Sequence, residues 1–172
     1  MARRYAFSWD LIGDLDTGRP NLGRHSRVEV YRLMQFCLRD VIERELGTEG
    51  ADRVFREAGE LAGVNLYDRL LAEPRTFDEF VTRLQNLTRD LGIGVLRVEE
   101  VSPRADRIVL TVSEDLDCSG LPELSYGVCT YDEGFIAGLL RRFTGKTFRV
   151  KEIDCWCTGD RTCRFLAELA GP

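Results

Sequence analysis

The chain has 172 residues, of which 44% are hydrophobic and 31% charged, with a formal charge of -5. That is long enough for one ordinary domain with a core of its own and too apolar for a disordered chain, while the acidic surplus speaks against a nucleic-acid-binding face. The Arg-rich start runs into acidic and polar residues, and no apolar run is long enough to cross a bilayer, so neither a signal peptide nor a membrane span is expected and the expected compartment is the cytosol.

Residues 5–12, YAFSWDLI, alternate Phe7, Trp9 and Leu11 on one side and predict a short strand or docked arm. The stretch DLDTGRPNLG that follows reads as a loop. From Ser26 the pattern is helical as far as Gly47, a C-cap by position. Its apolar residues cover more than one stripe, so it is expected to pack on two sides, one of them a possible subunit interface. Cys37, inside this helix, reads as a small core hydrophobe.

A second helix covers 50–72, with Ala51, Val54, Phe55, Ala58, Leu61 and Ala62 on one face. Gly59 and Gly63 lie four apart. They either let another element approach closely or are merely tolerated by the helix. Pro74 ends the segment. Thr76 and Glu79 form a capping box for a third helix, whose apolar face (Phe77, Phe80, Val81, Leu84, Leu87, Leu91) runs to Gly92. Strands at 93–101 and 107–114 make a hairpin around SPRAD. After the loop DLDCSGLPEL comes a helix over Ser125–Phe143, a strand over 147–154, a glycine turn and a last strand opening at Cys163. Helices come first and a small antiparallel sheet follows, with one helix inserted between the strand pairs: a single α+β domain. It divides into an arm at 1–23, a helical part at 24–92 and a sheet and helix part at 93–170.

The six cysteines carry the chemistry. In strand 147–154, Arg149 and Lys151 mark the solvent face, which puts Glu152 on the apolar face with Phe148 and Val150. A buried carboxylate there needs a cation, a hydrogen-bond donor or a raised pKa. Cys155 follows within three residues, Cys163 returns eight later on the face of Phe165, and Cys129 comes in from the preceding helix. The resulting C-x22-E-x2-C-x7-C set suits zinc, which takes four N, S or O donors in a closed structural site. Turn N–H groups or Arg161 would offset its negative charge. An iron–sulfur cluster on Cys129, Cys155, Cys157 and Cys163 shares this composition. A redox pair lacks the C-x-x-C spacing, and disulfides do not suit the cytosol.

The text YGVCTYDEGFIAGLLRRFTGKTFRVKEIDCWCTGDRTCRF, with its small-residue helix, G-K turn, K-E-x-x-C and G-D-x-x-C-x-F, resembles the V4R (4-vinyl reductase) domain over residues 107–168. That family includes sensor domains of aromatic-responsive activators, a bacteriochlorophyll-biosynthesis protein and stand-alone hydrocarbon-binding proteins, and its fold is similar to that of Bet3-type trafficking proteins. The resemblance implies a structural zinc on Cys129, Glu152, Cys155 and Cys163. It leaves Cys157 as an extra thiol beside the site and gives Cys118 no role. The histidine and tryptophan that hold phenol in the sensor branch have no counterpart here. The single histidine, His25, stands between Arg24 and Arg27 with its neighbours and reads as solvated, and Ile108 takes the place of the sensing tryptophan.

The leading expectation is a zinc-stabilised, homodimeric sensor or carrier domain for a hydrophobic or aromatic small molecule, with Phe55, Phe80, Leu84 and Ile108 in the pocket wall. It would pass any signal to a separate partner. One alternative is a tetrapyrrole vinyl reductase or its accessory protein. Catalysis by this chain is disfavoured, since no dinucleotide fingerprint follows a strand and a lone histidine leaves little for acid–base work. The other alternative is a ligand-free interaction or scaffold protein.

Overall fold

A computed structural model describes residues 4–71 and 73–171, which leaves the first three residues, Pro172 and the last position of the expected helix 50–72 outside the described residues. The chain divides into two compact units, Met1–Leu38 and Arg39–Pro172.

In the first unit the segment expected as a strand is a single 3-10 turn, Trp9–Ile12. Its N–H groups are satisfied locally: Leu11 N donates to Ser8 O at 3.0 Å and Gly13 N to Asp10 O at 3.1 Å, and Gly13 closes the turn at φ 75°. A four-residue turn with its own hydrogen bonds has no need of a sheet edge. The expected loop contains a short helix, α1 (Leu15–Gly18), capped by Asp14, whose Oδ1 accepts from the N–H of Asp16 and of Thr17. His25 is exposed, in keeping with a solvated residue.

Helix α2 runs over Val28–Leu70 and is broken at Gly47, where φ 71° and ψ 171° are not helical. The expected end of the first helix at Gly47 is therefore a kink between two helical halves, at a conformation only glycine adopts without strain. Cys37 is exposed, not a core residue. Its neighbours Leu33, Met34 and Leu38 are exposed as well. The broad apolar coverage of this half made every position look buried, and the chain buries only part of it.

In the second unit α2 is followed by α3 (Phe77–Asp90), β1 (Val95–Val101), β2 (Arg107–Ser113), α4 (Thr130–Thr144), β3 (Phe148–Asp154) and β4 (Cys163–Leu169). The four strands form one antiparallel sheet in the order β1-β2-β4-β3. The expected α+β class and the inserted helix are thus present. β2 lies at the centre with Ile108, Leu110 and Val112 buried, and Phe165 and Ala167 of β4 are fully buried beside them. Thr76 caps α3 by accepting from Glu79 N, as its box predicts.

α4 starts at Thr130 rather than Ser125. Ser125 takes φ 62°, a left-handed conformation that stops a helix from running through it, and Cys129 becomes the residue that precedes the first turn. The two-sided reading of Gly59 and Gly63 resolves in favour of close approach. A Cβ built on Gly59 would lie 2.0 Å from Tyr131 O and one on Gly63 2.2 Å from Phe135 O. From the other side, Gly134 and Gly138 would meet Arg56 O at 1.9 Å and Glu60 O at 2.3 Å. Four glycines on two helices interleave, and backbone packs on backbone.

Glu133 locks this crossing to the sheet. It is 1% exposed. Its Oε2 accepts from Arg56 Nη2 of α2 at 2.8 Å, and its Oε1 accepts from Lys151 Nζ at 2.8 Å and Glu152 N at 3.0 Å, both of β3. Glu133→Leu is expected to cost roughly 1–3 kcal/mol in urea unfolding, mainly because the Glu152 N–H loses its acceptor. The half-exposed cations can return to water.

Candidate metal centre and apolar cavity

Four sulfurs converge where the N-terminus of α4 meets the ends of β3 and β4. Cys129 enters from the residue before α4, Cys155 follows β3, Cys163 opens β4, and Cys118 comes from the loop after β2. All four are buried, and their Sγ atoms lie within 4.8 Å of one another. Cys118 Sγ is 3.0 Å from Cys163 Sγ, and Cys129 Sγ is 3.7 Å from it. Thiolates bound to one zinc at about 2.3 Å in a tetrahedron stand about 3.8 Å apart. The cluster already has that scale.

Local structure explains the convergence. Asp115 Oδ1 accepts from Asp117 N at 2.8 Å and Cys118 N at 3.1 Å, a side-chain turn that presents the Cys118 thiol inward. The loop beyond it is tied down by Leu124 N donating to Cys157 O at 2.8 Å and Trp156 Nε1 donating to Leu121 O at 2.9 Å. Thr158 clamps the turn after Cys155: its hydroxyl oxygen accepts from Cys155 N at 3.2 Å. Gly159 turns the chain at φ 101° toward β4. Cys157 faces the buried interior next to this turn, where burial pushes its thiol up to about 12.

Glu152 sits where the alternation of β3 places it, on the face of buried Phe148 and Val150. Its Oε2 accepts from Cys129 N at 3.4 Å, and its Oε1 is buried with no hydrogen-bond partner. Gly127 makes room for it, since a Cβ there would lie 2.4 Å from Glu152 Oε2. Burial, followed by the charge on Cys155, pushes the Glu152 carboxyl up to about 8. Among the thiols, hydrogen bonds from Cys118, Cys129 and Cys163 hold Cys155 toward the thiolate, while Cys129 is held strongly protonated by its thiol neighbours. Four thiols this close can all ionise only around a cation. The donor set, and the orphaned Glu152 oxygen beside it, fit a soft dication.

Of the expected residues, Cys129, Cys155 and Cys163 stand in one cluster with Cys118, and Glu152 lies beside it, accepting from Cys129 N. Nothing in the loop's sequence marks Cys118 except Asp115 three residues before it, the one signal that could have pointed to it.

Next to the centre, two narrow apolar cavities lie between α3, α4 and the sheet. One is lined by Phe77, Phe80, Leu84, Val98, Ile108 and Leu140 among others, and the second by Thr88, Ile93, Val112, Asp115, Asp132 and Phe135. They share Leu96, Ile136 and Leu139 as a common wall. The room inside each is about 20 Å³, that of a water molecule, and with its open mouth each encloses about 340 Å³. Phe80, Leu84 and Ile108 therefore meet in one cavity. Phe55 does not line either; its ring lies under the Arg39 guanidinium at 5.4 Å. Phe80 stacks on Phe143 with ring centroids 4.5 Å apart.

Among known proteins, residues 108–169 match the family model of the V4R domain, which covers β2, α4, β3 and β4. The family resemblance read from the sequence is borne out over that segment. An uncharacterized protein of Methanocaldococcus jannaschii is 24% identical over 148 residues, 86% of this chain and 81% of the relative. A crystal structure of a vinyl-4-reductase family protein from the same organism superposes with a TM-score of 0.60 at 17% identity, over 87% of this chain and 85% of that one. The phenol-responsive sensory domain of the transcription activator PoxR, solved with phenol, gives 0.59 at 19% identity, over 77% and 71%. A trafficking protein particle complex subunit 3 from Naegleria fowleri, covalently bound to palmitic acid, gives 0.64 at 15% identity, over 84% and 95%. At these identities the structures show a shared fold, which includes the expected Bet3-like class. Among the described residues no helix is long and apolar enough to cross a membrane.

Proposed function

We propose that this chain is a metal-stabilised binding domain for a small apolar or aromatic molecule, working as a sensor or carrier in a homodimer. The observation that carries the reading is the pairing of a buried four-thiol cluster with a largely apolar cavity beside it. Zinc is the ion proposed. Cys129, Cys155 and Cys163 are three of its ligands, with the fourth position taken by Cys118 or by Glu152. Ligand atoms spanning no more than 4.8 Å suit a single ion, whereas an iron–sulfur cluster needs room for its irons between the thiolates. With four protein ligands the ion has no open position, so it ties β3 and β4 to α4 and does no chemistry of its own.

The comparisons support the ligand half of the reading: phenol and palmitic acid are held by two proteins of this fold. Exposed Val30, Leu33, Met34 and Leu38 on α2 support the dimer, being apolar surface suited to a second copy.

A native mass spectrum tests all parts together. A dimer with one zinc per chain and an added small-molecule mass is the expected result. A zinc-loaded dimer that neither retains nor takes up any apolar molecule turns the assignment to a scaffold. X-ray absorption at the zinc edge then settles the fourth donor: four sulfurs are expected if Cys118 binds, and three sulfurs with one oxygen if Glu152 does.

A further inference from the structure

The second cavity is apolar but for Thr88 and for one place where two buried carboxylates stand together. Asp132 and Asp115 each bring an oxygen within 4.8 Å of the other and of Cys129 Sγ. Asp115 is occupied with the backbone of Asp117 and Cys118. Asp132 is not so engaged: it is 9% exposed, and its Oδ2 is buried without a hydrogen-bond partner. A buried acceptor left unpaired is costly, so a fold that keeps one at a cavity wall is either strained or equipped to use it. Its place in the first turn of α4 favours a negative charge only in part, because the helix dipole makes no hydrogen bond to Oδ2. Around it the cavity offers Ile93, Leu96, Val112, Phe135, Ile136 and Leu139.

We propose that Asp132 reads a hydrogen-bond donor on the ligand, and that the ligand is a compact apolar molecule bearing one hydroxyl or amino group. This rests on the ligand-binding reading above and specifies its chemistry. The donor group sits at Asp132 Oδ2, and the apolar body lies along Ile136 and Leu139. An organic ligand is favoured over a second metal ion because, apart from the Thr88 hydroxyl, which donates to Gln85 O at 3.3 Å, the remaining wall supplies carbon instead of metal-binding oxygens. The present room is water-sized, so a ring enters only when the side chains shared by the two cavities, Leu96, Ile136 and Leu139, rotate to join them. Discrimination follows from the asymmetry of burial. A molecule of the same shape without a donor leaves Oδ2 unpaired and forfeits the hydrogen bond.

Phenol, aniline and toluene form a matched set in which only the polar group changes. Titrations of the zinc-loaded protein, followed through the methyl resonances of Ile93, Leu96, Ile136 and Leu139, give the three affinities. Phenol and aniline are expected to bind at least tenfold more tightly than toluene. Asp132→Leu is expected to bring the three within about twofold of one another while toluene binding is kept, with zinc content and circular dichroism unchanged. Toluene binding as tightly as phenol to the unaltered protein overturns the role of Asp132 and leaves the binding domain standing. So does full discrimination in Asp132→Leu. Failure of all three to bind overturns both. Should Asp132→Leu not fold, the ranking in the unaltered protein and contacts from the ring protons of aniline to Ile136 decide the matter.

Discussion

Replacing Cys163 with serine is expected to empty the metal centre and take most of the fold's stability with it. Elemental analysis should fall from one zinc per chain to well under a tenth, and the cooperative thermal transition should broaden or vanish. Cys163 belongs to either possible ligand set, lies 3.0 Å from Cys118 and 3.7 Å from Cys129, and is fully buried. Binding of a structural zinc is worth about 10–16 kcal/mol in small zinc domains, against a total stability of about 5–15 kcal/mol for an ordinary domain. Removing zinc from the unaltered protein with a chelator should reproduce the loss, and adding zinc back under reducing conditions should reverse it. A Cys163→Ser protein that melts like the parent would show that the metal is incidental to the fold.

Gly134→Ala is the second large effect. The added methyl would stand 1.9 Å from Arg56 O and 2.9 Å from Glu60 N, both main-chain atoms of α2, so no rotamer change can relieve it. The two helices must separate, which opens the contacts of Gly59, Gly63 and Gly138 at the same crossing. Overpacking costs about 1–3 kcal/mol where side chains can adjust, and a clash of backbone on methyl belongs at or beyond the upper end. A loss of about 3 kcal/mol lowers the melting temperature by roughly 6–12 °C for a domain of this size. Gly145→Ala is the control: that glycine meets nothing within 4 Å, and its strain comes only from φ 70°. Its smaller loss, about 1 kcal/mol, separates backbone strain from helix separation.

Much of the centre was legible because period-2 alternation is strict. Arg149 and Lys151 fixed the solvent face of β3, and Glu152 had to fall on the other side with Phe148 and Val150. Cys155 and Cys163 followed from the turn that joins β3 to β4. Cys118 was not legible, because it lies in a loop without periodicity and is placed by an Asp115 turn and by long-range ties to Cys157 and Trp156. Phe55 and Cys37 illustrate a different limit. An apolar residue on a helix with a wide apolar face can be core, surface or cover, and only the packing partner decides. The four interleaved glycines were visible as spacing on each helix. That the spacings belonged to one crossing is a fact of tertiary structure.

The start of α4 gathers Cys129, Asp132 and Glu133 within five residues: Cys129 joins the thiol cluster, Asp132 lines the cavity with an oxygen within 4.8 Å of Cys129 Sγ, and Glu133 reaches across to Arg56 and Lys151. A stiff helical turn cannot shift one of these without the other two. On the proposed function, with zinc in the centre and a small molecule in the cavity, the two would be linked, and any factor by which zinc changes ligand binding would equal the factor by which ligand changes zinc binding. In a cell with little free zinc, such a domain would report on the supply of metal as much as on its small molecule.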